Sequence, residues 1–418
     1  MPFRAGSPRV RPGRRTSLTA EFPVFHRSHP VRGLLAALVA APIAACSSIP
    51  RAPYTAAEAA VATVPGQAPT IRYWADAPAS AFAEVSRAAV AQKEPFTYLA
   101  LSGGGGDGAY GAGVLNGWSE TGRRPVFTLV SGVSTGALIA PFAFLGPAYD
   151  PTLREIYTSG IASTLVQSPN PLNILLGDGL FADQRLRDLV GRYVTPEILA
   201  QVAEEHRKGR RLLVVTTNLD AQRAVIWDMG AIAASGQPNA VALFRDVLAA
   251  SASVPAVFPP MLIDAQAGSH GFQEMHVDGA VATPVFTLPE SFLSQDSRIV
   301  RGRGKPNIYV VINGRIEPSF DLVQNRTLSI ASRTLSTVGR ARSRATLAST
   351  AAFARRNGIG FNLTYIDRGI PEVAADQGFD TAYMRSLFED GYAKARSGSL
   401  WETTLPRDAQ VERQAELR

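Results

Sequence analysis

The 418-residue chain is 46% hydrophobic and 18% charged, which excludes a disordered or collagen-like protein and leaves room for one or two large cores. Its formal net charge of +7 invites a nucleic-acid reading. However, seven arginines (Arg4, Arg9, Arg11, Arg14, Arg15, Arg27, Arg32) stand against Glu21 alone in residues 1–45, so six of those charges precede Cys46 and no nucleic-acid partner is expected.

In the leader, basic residues precede the apolar segment Gly33–Ala45 (GLLAALVAAPIAA). It has the length of a signal-peptide core and falls short of the roughly 20 residues that cross a bilayer. It ends in Ile43-Ala44-Ala45-Cys46, and Cys46 is the only cysteine. This resembles the bacterial lipobox, whose cysteine is lipidated and becomes the mature N-terminus. The expectation is a signal peptide over 1–45 and a membrane anchor at Cys46. Ser47 and Ser48 lack the aspartate of inner-membrane retention, so the outer membrane, periplasmic side, is favoured. The plainer reading of Cys46 is a buried thiol; with one cysteine, no intramolecular disulfide forms.

From Ile49 to about Pro78 the chain is rich in Ala, Pro, Thr and Arg without a lasting period, which predicts a tether or extended lead-in. Phe82, Val85 and Ala89 place a helix over Ser80–Gln92, closing a lead-in region 46–94. An apolar strand, Phe96–Leu101, then enters a glycine cluster, Gly103–Gly108, followed by a small-residue helix, Ala109–Glu120, that closes at Gly122. A second strand, Val126–Val130, turns through Gly132-Val133-Ser134-Thr135-Gly136 into a helix, Ala137–Leu145. Pro151–Val194 reads as short helices with breaks, fit to shape a substrate mouth or lid. Glu197–Lys208 is a charged helix, Arg211–Thr217 a buried strand, Ala224–Met229 a strand and Ala240–Ala250 a helix, ended by a proline-fixed turn at Ala250–Pro260. Met275–Val277 is a short strand ending in Asp278-Gly279-Ala280. Strands at Asn307–Ile312 and Gly360–Ile366 and helices at about Leu322–Arg356 and Thr381–Arg396 complete the chain. The alternation predicts a three-layer α/β/α fold with a mainly parallel central sheet. Its core is 95–290; residues 291–405 complete the same domain and 406–418 form a tail.

Gly103, Gly105 and Gly108 satisfy G-x-G-x-x-G, but the following strand ends in Val130-Ser131-Gly132, without the acidic residue that holds a ribose. A P-loop needs Lys-Ser/Thr where Ala109-Tyr110 stands. An oxyanion hole fits better, because backbone N–H groups at a helix N-terminus face a developing negative charge. Gly132–Gly136 supplies its serine: small residues around Ser134 let the strand-to-helix turn bend sharply and expose the hydroxyl. That hydroxyl needs a base. His26 and His29 lie in the leader, and His206 reads as a solvated residue of a charged helix. His270 or His276 with Asp220 would make a triad; alternatively Asp278 is itself the base, its pKa raised by desolvation. No His/Cys/Asp cluster has metal-ligand spacing, so no metal is expected.

In conjunction these residues resemble the patatin-like phospholipases, lipid acyl hydrolases with a Ser/Asp dyad, here as a bacterial, lipoprotein-type member. The likeness rests on Ser102–Tyr110 for the glycine-rich loop, Gly132–Gly136 for the nucleophile elbow, Asp278-Gly279-Ala280 for the Asp-Gly-Gly/Ala motif, and the Ala-Ser-Ala-Ser-Val-Pro turn at Ala250–Pro255. It implies Ser134 as nucleophile, Asp278 as base and the amides of Gly104, Gly105 and Gly106 as oxyanion donors. Gly103, Gly108, Gly132, Gly136 and Gly279 support the turns. A lipid or phospholipid is the implied substrate, with no cofactor. Asp107 departs from the Arg or Lys common before the last glycine of this loop. Rival readings are a non-catalytic envelope scaffold and a Ser/His/Asp esterase. Arg326, Arg333, Arg340 and Arg344 share one helical face opposite Leu328, Leu335 and Val338, which reads as a solvated face or a contact with anionic headgroups. Trp227 and Trp401 read as core or rim aromatics.

Overall fold

Two hydrophobic cores, one on each side of a single sheet, absorb the apolar runs of the sequence. The computed structural model describes residues 51–90, 95–166, 179–255, 257–294, 304–320, 322–367, 369–370 and 378–406. The expected signal peptide over 1–45, the lipidation of Cys46 and residues 407–418 of the tail lie outside them. The strands are β1 (Arg72–Trp74), β2 (Thr97–Leu101), β3 (Leu129–Val133), β4 (Arg211–Asn218), β5 (Arg223–Asp228), β6 (Met261–Ala267), β7 (His270–Asp278), β8 (Asn307–Ile312) and β9 (Gly360–Tyr365). They form one nine-stranded sheet in the order β1-β5-β4-β3-β2-β8-β9, with β7 joined to β4 and β6 to β7.

The helices are α1 (Ala56–Val61), α2 (Ala83–Val90), α3 (Gly108–Glu120), α4 (Thr135–Leu145), α5 (Asp150–Thr158), α6 (Gly179–Tyr193), α7 (Pro196–Arg207), α8 (Met229–Ala234), α9 (Ala240–Ser251), α10 (Glu290–Ser294), α11 (Thr327–Asn357) and α12 (Thr381–Ser397). Successive side chains of a strand point to opposite faces. Leu99 and Leu101 accordingly join Leu115, Phe142, Phe244 and Leu387 in one core, while Tyr98 and Ala100 join Leu347, Phe353 and Phe286 in the other. β3 and β4 are buried along their whole length, which is why both read as continuous apolar runs. No described helix is long and apolar enough to cross a membrane.

One feature refines the expected α/β fold with its mainly parallel centre, and three differ from the sequence expectations. First, the sheet is mixed. β4, β3, β2, β8 and β9 run parallel, but β5 and β7 are antiparallel to β4, and β1 and β6 pair antiparallel to β5 and β7 in turn. The β6–β7 hairpin was hidden because Glu274 and His276, polar residues on β7, are fully buried and break its alternation. Second, the stretch read as a tether is packed on the sheet. β1 pairs with β5, the Tyr54 ring stacks on Phe272 with centroids 4.2 Å apart, and Arg51 binds Asp220 at 2.6 Å. Third, His206 is not solvated; it sits half-buried 3.5 Å from Asp228, and burial lowers its pKa to about 4.

Fourth, α11 is turned the other way. Its arginines reach back to the preceding segment, Arg333 to the Ser319 carbonyl at 2.5 Å and Arg340 to the Glu317 carbonyl at 3.1 Å. Ile330, Leu335 and Val338 face solvent instead. Trp227 is fully buried, and Trp401 packs edge-on against Trp118.

Candidate active site

β3 and β7 end against the same strand, and that topology makes the site. Val133 pairs with Val215 and Asp278 with Thr216, consecutive residues of β4. β3 runs parallel to β4 and β7 antiparallel, so their C-terminal ends meet head-on, and Ser134 Oγ donates to Asp278 Oδ2 at 2.5 Å. Ser134 holds φ 55 and ψ −126, a strained conformation for a residue with a Cβ. It is fixed from both sides: its N–H donates to Ser251 Oγ at 3.0 Å, and that hydroxyl donates to the Val215 carbonyl at 2.6 Å. The sharp bend brings α4 across β2 so closely that a Cβ on Gly136 would stand 2.5 Å from the Leu101 carbonyl oxygen. The N-terminus of α4 therefore lies directly behind Ser134, its positive end toward any charge built there.

Asp278 is 2% exposed. Its Oδ1 accepts from the Ala280 N–H at 2.7 Å, and its own N–H donates to the Ser253 carbonyl at 2.9 Å. Burial raises its carboxyl to about 7, although the hydrogen bonds from Ser134 and Ala280 oppose the shift. A carboxylate so placed is a much stronger base than an exposed one and is half ionised near neutrality.

The glycine loop leaves β2 beside this pair. Ser102 and Asn313 anchor it: the Asn313 N–H donates to Ser102 Oγ at 2.8 Å and its Nδ2 to the Ser102 carbonyl at 2.8 Å, while Oδ1 accepts the Gly111 N–H at 3.1 Å. The Gly103 N–H is taken by the Pro284 carbonyl at 2.9 Å, and a Cβ on Gly103 would lie 3.1 Å from Ser134 Cβ, so the loop passes directly over the serine. Gly105 holds φ +57. Among the described residues no acceptor takes the amides of Gly104, Gly105 or Gly106. They precede α3, whose N-terminus adds to the positive potential of the loop. Asp107 accepts from Tyr383 Oη at 2.8 Å and stands 3.9 Å from Arg315, so a basic group does reach this loop, from the connection after β8.

The histidines are engaged elsewhere. His270 Nδ1 is 2.6 Å from Glu58, and Asp220 binds Arg51, Tyr54 and the Met275 N–H. His276 is fully buried between Thr216, 2.9 Å from Nδ1, and Glu274, 3.1 Å from Nε2. Burial lowers its pKa, and the Glu274 carboxylate, paired with Arg72, accepts a hydrogen bond from Nε2–H. Sequence reasoning assigned no role to Ser251, Asn313, Arg315 or Tyr383. Ser251 lies in the Ala250–Pro255 block already singled out, and for Asn313 the signal was position: it is the first residue beyond the apolar strand β8, at the C-terminal sheet edge where parallel α/β sheets collect their ligands. No group of three or more potential metal ligands occurs among the described residues.

Residues 99–289 match the family model of patatin-like phospholipases. No curated protein matches the chain. Among solved structures it is similar to VipD from Legionella pneumophila, with 12% identity and a TM-score of 0.34 over 73% of this chain and 67% of that one. The chain thus carries, over residues 99–289, a patatin-like phospholipase domain built on a mixed α/β sheet.

Proposed function

We propose that the protein hydrolyses acyl esters of membrane phospholipids through a Ser134/Asp278 dyad, and that it does so as a lipoprotein anchored at Cys46 in the outer membrane, facing the periplasm. The observation that carries the catalytic reading is the 2.5 Å hydrogen bond from Ser134 Oγ to a buried carboxylate whose pKa is raised to about 7. Ser134 Oγ attacks the ester carbonyl as its proton passes to Asp278 Oδ2. The carbonyl oxygen becomes an oxyanion facing the amides of Gly104, Gly105 and Gly106. Collapse breaks the ester C–O bond, and the Asp278 proton goes to the departing lysophospholipid alkoxide. Water, deprotonated by Asp278, then releases the fatty acid and restores the serine.

Purified protein incubated with vesicles of phosphatidylethanolamine and phosphatidylglycerol is expected to yield free fatty acid and lysophospholipid, read by mass spectrometry. A fluorophosphonate probe is expected to modify the peptide carrying Ser134. No products and no modification would overturn the enzyme reading in favour of the scaffold, and modification of another residue would overturn the dyad. For the anchor, cells fed labelled palmitate are expected to label the wild-type protein but not Cys46→Ser. Incorporation into Cys46→Ser would reject lipidation at that position.

A further inference from the structure

An amphipathic helix normally turns its apolar face inward. The N-terminal half of α11 does the opposite. Among the described residues six of eleven exposed large hydrophobic side chains fall between positions 320 and 338, Phe320 at 96% and Leu322 at 85% exposure among them. Ile330, Leu335 and Val338 share an arc of about 140° on the helix, at 100° per residue. Arg333 and Arg340, on the other side, bind the backbone at Ser319 and Glu317 and so fasten the helix with this arc outward.

The position of the patch relative to the site follows from the sheet. β2, β3 and β8 are parallel neighbours, so the glycine loop, Ser134 and the 313–326 connection all leave the same sheet edge. α11 returns antiparallel to β9, with Leu347, Thr350 and Phe353 buried near its C-terminal end. At about 1.5 Å per residue the exposed half extends past the edge that carries the site. The two are in contact: Arg342, exposed on the apolar side of the helix, donates to the Val281 carbonyl at 3.1 Å. Val281 ends the turn begun by Asp278 and is itself 36% exposed. Residues 318–346 carry five arginines against Asp321 alone.

We propose that Phe320, Leu322 and the Ile330–Leu335–Val338 face of α11 form the surface by which the protein settles on an anionic lipid bilayer, with the Asp278–Val281 turn brought down to the headgroup layer. This rests on the lipid acyl hydrolase reading and names how the site meets its substrate. Apolar side chains enter the acyl boundary while Arg342, on the same side of the helix, meets anionic headgroups, the two terms that govern interfacial helices. The alternative occupant, a second copy of the chain, is an outcome of the test.

The test compares the full chain with Phe320→Asp/Leu335→Asp, in which both side chains are solvent-exposed whereas the dyad is buried. Binding to phosphatidylglycerol vesicles is expected to weaken at least tenfold, approximately the effect of losing one buried apolar side chain. Hydrolysis of vesicle lipid should fall in parallel. Hydrolysis of a soluble short-chain ester and fluorophosphonate labelling of Ser134 should be unchanged. Wild type is expected to prefer phosphatidylglycerol over phosphatidylcholine vesicles, and Arg342→Glu to narrow that preference. Equal vesicle binding by wild type and double variant overturns the proposal, whatever the leader contributes, since both share it. A variant that changes oligomeric mass by light scattering with vesicle binding intact assigns the face to a second copy and also overturns it. Should neither protein hydrolyse any ester, the enzyme reading fails while the vesicle comparison still decides the surface.

Discussion

Ser134→Ala is expected to lose at least about 10⁴ of kcat on any ester the protein hydrolyses, the scale seen when a serine nucleophile is deleted, and to lose fluorophosphonate labelling with it. The same position predicts a stability effect of opposite sign. Ser134 is held at φ 55, and a non-glycine residue in such a conformation costs roughly 1–3 kcal/mol. Ser134→Gly should therefore be as inactive as Ser134→Ala yet melt at a higher temperature than it, because glycine relieves the strain. Wild type gains the Asp278 hydrogen bond that both variants lack, so the informative comparison is between the two variants. Activity of Ser134→Ala within a hundredfold of wild type would reject the nucleophile. A Ser134→Gly protein melting below Ser134→Ala would reject the strain argument.

What the sequence made legible here was local backbone chemistry. Gly103–Gly108 and Gly132–Gly136 mark turns that only small residues permit, and each is followed by its helix in the structure. Strand β3 begins at Leu129, three residues later than its apolar pattern suggests, because Val126 faces solvent at 74% exposure. What stayed hidden depends on pairing between distant segments. The nine-residue β7 carries Glu274 and His276 inside the protein, which only Arg72, 202 residues upstream, and Thr216 make tolerable. Asn313 reaches the glycine loop through the Leu101–Val311 register, and no nearby pattern encodes that register. The α11 arginines deceived for a related reason. A stripe of arginine normally means solvent, but the carbonyls of Glu317 and Ser319 give these guanidinium groups partners inside the fold. Asp278 lies between the two cases: its Asp-Gly-Ala turn is visible, whereas its meeting with Ser134 required β7 to run against β4.

Asp278→Asn should slow both hydrolysis and fluorophosphonate labelling by about 10² to 10⁴, the usual range for a positioned general base. Asparagine preserves the shape and can still accept the Ala280 N–H, but its amide cannot take the serine proton. The pH dependence separates this base from a histidine. Reaction needs ionised Asp278, so wild-type kcat/KM should rise with pH along a limb centred at about 7 and level off above it. Burial lowers the His276 pKa below its ordinary 6.5, so a His276 base would put the limb below that value. His276→Gln should leave the limb near 7 in place. Stability must run the other way. The folded state holds the Asp278 pKa above the unfolded 3.8, so its neutral form is the one the fold favours. That contribution is complete below about 3.8, declines as pH rises through about 7, and is absent above it. Asp278→Asn has no such loss. Relative to wild type it should gain stability between pH 5 and 8.5, on the order of 3 kcal/mol if the whole shift is expressed. Thermal melts of the two proteins over that interval measure the gain directly. Parallel melting curves, or a kcat/KM limb that stays near 7 in Asp278→Asn, would show that another group titrates. The same buried carboxylate thus ties the two profiles together: the ionisation that activates the site for chemistry is the one the fold opposes by favouring the neutral acid.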